Sequence, residues 1–352
     1  MTSKSARIKS GSAHKNGWKD IQSKTKTEKK TKLALFILGL IVLIILFSQI
    51  VSFTQKLFSP WKLSAKSDKK FVWDGKFNIN FLVKTKTISL LSYNPQDQKL
   101  TIVDIPDQIY LEVAHGFGKW QLGSVYELGQ SQKTIGGNKL LKDTLINFFA
   151  VPIDGSLDFS GEYFQKNAGD LIDLIRKNPF AGFKLLSNLK TDLTLWELIR
   201  LNFGITSVRF DKIKRINLEN TGILDKDSLA DGTLVFTADP IRLDDNILNF
   251  YDLAIQAEHK SIAIFNATDK VQLAQGVARL ITNLGGNVII TSNSQKKLQK
   301  TQITGEKSKT LKRLQQIFEL SDKIDLGDND LISSRAQINV FLGEDYISSV
   351  RY

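Results

Sequence analysis

From Leu33 to Phe47 the chain runs fifteen apolar residues without one charge, and this stretch limits the possible folds more than any other. It continues more weakly through Ser48 to Phe53, and about 21 helical residues at ~1.5 Å each cover ~30 Å, the depth of a bilayer core. Residues 33–53 therefore read as a single transmembrane helix. The tail before it, residues 1–32, holds Lys4, Arg7, Lys9, Lys15, Lys19, Lys24, Lys26, Lys29, Lys30 and Lys32 against Asp20 and Glu28 only. Short Lys/Arg-rich flanks stay on the cytoplasmic side, so the reading is a single-pass cell-membrane protein, N-terminus inside and everything after residue 53 outside. A cleaved signal peptide is the competing reading. It fits less well, because the basic region is long and bulky residues, not a small-x-small site, follow the run.

The net charge of +12 invites a nucleic-acid partner, but the tail accounts for eight of those charges and the rest of the chain is only mildly basic. We therefore expect no nucleic-acid binding. The tail's cations suit anionic inner-leaflet lipid, at about 1 kcal/mol for each one held near the surface. Cysteine is absent, which excludes disulfide staples, thiolate nucleophiles and thiolate metal ligands. Stability must come from packed cores, and the remaining length is enough for two.

Composition divides the remainder. Residues 54–71 mix Ser, Lys and Pro60-Trp61 without a sustained period and read as a linker; residues 72–240 form a first globular segment, 241–260 a polar connection that is part linker and part helix, and 261–346 a second segment. In the first, Thr87–Tyr93 and Leu100–Ile105 are rich in β-branched and aromatic residues around Asn94-Pro95-Gln96-Asp97, a hairpin pattern, and a third strand spans Gln108–Val113. Helical spacing follows at Leu140 to Phe149, at Phe164 to Ile175 and, behind the capping-box pair Thr194 and Glu197, through Leu201. The second segment alternates: strand Ile262–Phe265, a helix capped by Thr268 or Asp269 that stops at Gly285-Gly286, strand Val288–Thr291, a helix through Leu311 and Phe318, and strand Ile338–Leu342. The expected fold class is α/β: one transmembrane helix, an exported mixed α/β sandwich-like domain, and a small C-terminal α/β domain.

Thr87–Pro95, Ile102–Pro106 and Val151–Asp154 ahead of Asp158-Phe159 resemble the LytR-CpsA-Psr family of envelope proteins, and Ile262–Asn266 with Asn339–Tyr346 resembles the LytR C-terminal domain. The resemblance implies one membrane helix before an exported domain that transfers undecaprenyl-pyrophosphate-linked glycopolymer onto the cell wall. The site residues depart from the pattern. Family enzymes show Arg-x-Asp-Thr/Ser where this chain has Lys84-Thr85-Lys86-Thr87, so the acid that would help hold Mg²⁺ is a lysine; they show Pro-Arg-Asp where this chain has Pro106-Asp107-Gln108. Pyrophosphate favours planar, bidentate Arg over Lys and far over Asp. No later arginine-rich element has a clear counterpart, Arg176, Arg200, Arg209 and Arg215 being scattered among helices.

Each candidate residue has a plain alternative. Lys84 and Lys86, two apart at a strand entrance, are the candidate ligand-binding pair for phosphate, or else solvated edge lysines that block strand pairing. Asp104 and Asp107 form a carboxylate pair or simply solvate a strand end. His115 is an acid or base, or a surface histidine. Gly116-x-Gly118 lacks the third glycine of a dinucleotide fingerprint and reads as a turn. Asn266-Ala267-Thr268 formally matches a glycosylation acceptor at a strand-to-helix junction. No catalytic set and no metal-ligand spacing can be assembled. The expected function is thus a noncatalytic, membrane-anchored envelope protein that needs no cofactor and binds lipid-linked glycan, cell-wall polymer or another envelope protein, with the C-terminal domain as the binding element. The alternative is a phosphotransferase-type glycopolymer ligase acting on polyprenyl-linked polymer with Mg²⁺.

Overall fold

Period-two alternation in three neighbouring strands builds the centre of the molecule, here a computed structural model. It describes residues 40–49, 51, 71–132, 134–159, 166–178, 180, 185, 189–246, 250–320 and 334–350. The strands β1 (Ile79–Lys84), β2 (Ile88–Asn94) and β3 (Lys99–Ile105) pair antiparallel in order. Leu82, Ile88, Leu90, Val103 and Ile105 face one apolar core, while Phe81, Val83, Leu91, Tyr93, Leu100 and Ile102 face another. With apolar side chains on both faces, the sheet needs a helical layer on each side, and it has one.

The chain then leaves the sheet for a small hairpin, β4 (Tyr110–Val113) and β5 (Gly118–Gln121), and two helices, α1 (Leu122–Ser131) and α2 (Gly137–Phe149), which cover the first face. It returns through β6 (Gly155–Asp158), parallel to β1, and covers the second face with α3 (Ala168–Lys177) and α4 (Leu195–Ser207), separated by the short β7 (Lys190–Thr191). β8 (Ile213–Asn217) closes the other edge beside β3, giving the order β7-β6-β1-β2-β3-β8. The expected hairpin and sandwich are present. The third strand lies outside the main sheet, pairing with β5 instead. Phe164 lies outside the described residues.

The capping box at the start of α4 is complete: Thr194 Oγ1 accepts from Glu197 N–H at 3.2 Å, and Glu197 accepts in return from Thr194 N–H at 2.8 Å. Glu197 is fully buried and also accepts from Trp73 N–H at 2.7 Å, so the same carboxylate fastens the segment ahead of β1 to the helix.

A second hairpin, β9 (Leu224–Ser228) and β10 (Leu234–Ala238), is largely exposed. The described residues of the connecting stretch 241–260 include most of α5 (Pro240–Asn246), a fully buried Phe250 and α6 (Leu253–Glu258). Beyond them β11 (Ser261–Asn266), α7 (Leu273–Asn283), β12 (Asn287–Asn293), β13 (Gln302–Gly305), α8 (Lys309–Ile317), β14 (Ile338–Leu342) and α9 (Glu344–Val350) make a four-stranded sheet in the order β12-β11-β14-β13. β13 and α9 were not expected from the sequence. Nor does Thr268 or Asp269 cap α7: the cap position is Gln272, with no side-chain hydrogen bond, and Thr268 Oγ1 instead closes a turn by accepting from Lys270 N–H at 3.2 Å.

No gap separates this module from the first. One apolar core continues from Leu82 and Leu90 through Phe149, Leu243 and Phe250 to Ile264, Leu280, Val340 and Tyr346. Arg313 on α8 is buried in this junction, donating to both oxygens of Asp154 at 2.9 and 3.1 Å and to the Asn78 carbonyl at 3.2 Å, with its Nε 3.8 Å from Asp252. At the N-terminus of α8, Glu258 accepts from Lys309 N–H, Thr310 N–H and Thr310 Oγ1 at 2.8–2.9 Å. Partial burial opposes its ionisation, but these hydrogen bonds prevail and hold its pKa below the usual glutamate value. A lowered native pKa stabilises the fold above the unfolded value and is lost as pH falls through the native one. Urea midpoints should therefore drop more steeply for the parent chain than for Glu258→Gln between about pH 5 and 3; parallel curves would refute the cap.

The N-terminal unit is described only in part. Residues 40–49 and 51 are helical with exposed apolar side chains, Leu43 and Phe47 about two-thirds so. The remainder of the apolar run, the tail and linker residues 54–70 lie outside the described residues. Among the described residues no helix is long and apolar enough to cross a membrane.

Candidate functional site

Two places concentrate chemistry. The first lies at the carboxyl end of β1. Lys84 is the last residue of β1 and Lys86 sits in the tight turn Thr85–Thr87, where Thr85 N–H donates to Thr87 O at 3.0 Å; Lys86 is exposed and Lys84 half-buried. The two lysines thus occupy different settings. The Lys84 ammonium rests 3.9 Å from the centroid of the Tyr126 ring, delivered by α1, and the Tyr126 hydroxyl donates to Asp158 Oδ2 at 2.9 Å. Asp158 is also the cross-strand partner of Lys84 in the β1–β6 register. Burial, then the hydrogen bond and charge of Asp158, push the Tyr126 phenol well above its ordinary pKa. Burial likewise raises Asp107, with the Lys84 charge acting in opposition. The result is a partly desolvated cluster in which an ammonium faces a ring whose hydroxyl is held by Asp158, with Asp107 within electrostatic reach.

Asp104 is held apart from it, accepting from Ser89 Oγ at 2.6 Å across the β2–β3 pair. The arginines are engaged elsewhere. Arg176 donates to Val208 O, Arg200 to Trp73 O, Arg209 pairs with Asp211 and Arg215 with Asp173. Asp154 serves Arg313 and the Asn80 N–H. Beneath the sheet, between β1, α3 and α4, an apolar cavity lined by Phe81, Val83, Leu157, Phe159, Leu171 and Leu198 measures about 60 Å³. That is far below the ~300–1,000 Å³ usual for a drug-sized ligand. Among the described residues no group of three His, Cys, Asp or Glu side chains is placed to hold a metal ion.

Helix spacing sets the cluster. Gly137 at the start of α2 lies against α1 so closely that an added Cβ would meet Tyr126 O at 2.5 Å. Gly137→Ala is expected to cost about 1–3 kcal/mol by overpacking and to lift Tyr126 off Lys84. A lowered melting temperature together with faster acylation of Lys84, read by mass spectrometry, would check this; unchanged Lys84 reactivity would refute the link.

The second place is a cleft of about 370 Å³ between the first segment and the C-terminal module, lined by His115, Glu112, Asn147, Lys270, Arg279 and Tyr346 over an apolar floor of Ile146, Ala150 and Leu280. His115 adopts a left-handed conformation, φ 63° and ψ 23°, uncommon outside glycine. It is held there by Asp143, whose Oδ2 lies 2.9 Å from His115 Nε2 and 2.6 Å from Lys139 Nζ. Thr144 Oγ1 accepts from the neighbouring Ala114 N–H at 3.1 Å. Opposite, Arg279 forms a bidentate pair with Asp244 at 2.7 Å and donates to the carbonyls of Asn147 and Phe148. The cleft is amphipathic and within the size range of ligand sites. Its signal in sequence is the pair of glycines just after His115, which mark a turn without saying what it faces.

Asn266 is only 6% exposed, and its amide donates to Lys270 O and accepts from Thr268, which closes it to glycan attachment.

The class that the C-terminal module defines is the LytR C-terminal type. Residues 260–346 match the family model described as LytR cell envelope-related transcriptional attenuator, bearing out the resemblance at Ile262–Asn266 and Asn339–Tyr346. Among solved structures the chain is similar to TagT of B. subtilis, with 16% identity, 53% of this chain and 95% of that chain covered, and a TM-score of 0.37. It is also similar to B. subtilis TagV, with 14% identity, coverage of 60% and 98%, and a TM-score of 0.39. A third is the LytR-CPS2A-psr family protein YwtF (TagT) with bound octaprenyl pyrophosphate lipid, with 16% identity, coverage of 53% and 92%, and a TM-score of 0.36. No curated protein sequence matches the chain.

Proposed function

We propose that this chain is a noncatalytic cell-envelope protein, anchored by residues 33–53 with its tail in the cytoplasm, whose interdomain cleft binds cell-wall glycan. The observation that carries this reading is the state of Lys84. The Lys84 ammonium lies over the Tyr126 ring and within electrostatic reach of Asp107, while Lys86 sits apart in the turn, so the two lysines do not gather the concentrated positive charge that a pyrophosphate leaving group requires. The small volume of the apolar cavity supports the same conclusion against a polyprenyl chain. The cleft offers what a sugar needs: planar polar side chains of Asn147, Glu112, Arg279 and His115 above an aliphatic floor. The match of residues 260–346 to a cell-envelope family supports the location.

The test is binding of the full chain to soluble wall glycopolymer by calorimetry. Lys270→Ala and Glu112→Ala should each weaken binding about tenfold, the equivalent of ~1.4 kcal/mol per lost hydrogen bond. Lys84→Ala and Lys86→Ala should leave it unchanged. Mg²⁺-dependent turnover of a polyprenyl-pyrophosphate-linked polymer that disappears in Lys84→Ala would overturn the noncatalytic reading in favour of the transferase.

A further inference from the structure

Helix α4 presents aromatic side chains to solvent on the face opposite its core residues. Leu198, Leu201 and Ile205 point to the sheet, whereas Trp196 is 37% and Phe203 57% exposed. Seven residues apart, these two lie on one stripe about 10 Å long. Just beyond the helix Phe210 is 76% exposed, and Phe180 after α3 is 73% exposed. Scattered single apolar residues on a surface need no explanation, but aromatics of this size on one helical stripe do.

Cations accompany them. The Arg200 guanidinium lies 5.1 Å from the Trp196 ring and the Arg176 guanidinium 6.0 Å from the Phe210 ring. Each donates to a main-chain carbonyl, which leaves its charge uncancelled. Lys177 and Lys212 are exposed nearby. Aromatic rings with arginine and lysine among them are the composition of surfaces that sit at a membrane–water interface.

The chain's course points the same way. Near the start of the described folded unit, Trp73 N–H donates to Glu197 of α4, and Arg200 of α4 donates to Trp73 O at 3.1 Å. Fewer than twenty residues separate Phe53 from Trp73, which limits the reach to about 70 Å even fully extended.

We propose that the outward face of α4, with Trp196, Phe203 and Phe210 and the cations Arg176 and Arg200, rests on the anionic outer leaflet of the membrane that holds residues 33–53. This rests on the anchored reading above. The face would fix the orientation of the folded unit, and so of the cleft, on the bilayer.

The cysteine-free chain permits single labels without background. Full-length Phe203→Cys, and in a second protein Phe210→Cys, carrying an environment-sensitive fluorophore, is reconstituted in phosphatidylglycerol vesicles containing headgroup-depth spin-labelled lipid. A third protein, Asp231→Cys in the β9–β10 turn, is the reference. Quenching at 203 and 210 should exceed that at 231 several-fold and should fall when phosphatidylcholine replaces phosphatidylglycerol. Equal quenching at all three positions, in protein that stays with the vesicles in alkaline carbonate, overturns the proposal and spares the anchor. Release by carbonate overturns both. A difference indifferent to lipid charge also overturns it, because the arginines would then have no part.

Discussion

Arg313→Ala is expected to lose about 3–5 kcal/mol of stability, because it removes the cation that Asp154 and Asp252 face in a largely buried junction. The guanidinium is 3% exposed and meets Asp154 bidentately, Asn78 O, Asp252 and the Phe77 ring at 5.9 Å. Burial penalises its charge, but Asp154 and then Asp252 outweigh that penalty and hold its pKa above the ordinary value. Asp252 tells the complementary story: burial raises its pKa and Arg313 opposes the rise. Removing the cation takes away the charge that opposes this rise, so Asp252 either takes up a proton more readily or destabilises its site as an anion. The double variant Arg313→Ala with Asp154→Ala should lose less than the two single losses combined, since the partners share one interaction. Urea unfolding of the four proteins measures this, and a loss under about 1 kcal/mol in Arg313→Ala would show the junction to be solvated.

The second large effect is Phe149→Ala at the end of α2, expected to cost about 3–5 kcal/mol as a fully buried ring is replaced by a cavity. Phe149 is 0% exposed and packs edge-on against Phe148, centroids 4.9 Å apart at 82°. Its carbonyl accepts from Asn283 at 3.2 Å and that of Phe148 accepts from Arg279 at 3.1 Å. Loosening this end of α2 therefore also loosens one wall of the cleft, and glycan affinity should fall along with stability. Phe149→Leu, closer in volume, should cost under about 1.5 kcal/mol. Thermal melts and calorimetry on both variants test the pair of effects; full glycan affinity in Phe149→Ala would separate the cleft from the helix end.

Local order was legible where the physics is local. The β2–β3 hairpin, the Thr194–Glu197 box and the helix ending before Gly285-Gly286 depend on residues a few positions apart, so spacing alone exposes them. What escaped depends on distant partners. Asp154 and Arg313 meet across 159 positions, and no spacing in the sequence links the one to the other. β13 is four residues of mixed polarity, a strand only because β14 offers its edge. Lys84 and Lys86 looked alike on a strand; the β1–β2 turn begins between them, and α1 brings Tyr126 to one of them only. His115 could be placed in a loop, but the left-handed backbone and the buried Asp143 behind it belong to tertiary packing.

The absence of a spacer between the two folded segments bears on how this protein could be re-engineered. A family-model boundary at residue 260 invites treating the C-terminal module as a cassette to be swapped onto other anchors. Its helix carries a guanidinium whose counter-charges, Asp154 and Asp252, lie outside that boundary, and its apolar residues complete a core begun by Leu82. A graft cut at residue 260 would carry a bare buried cation into its new host, so a functional graft must begin upstream of Asn78.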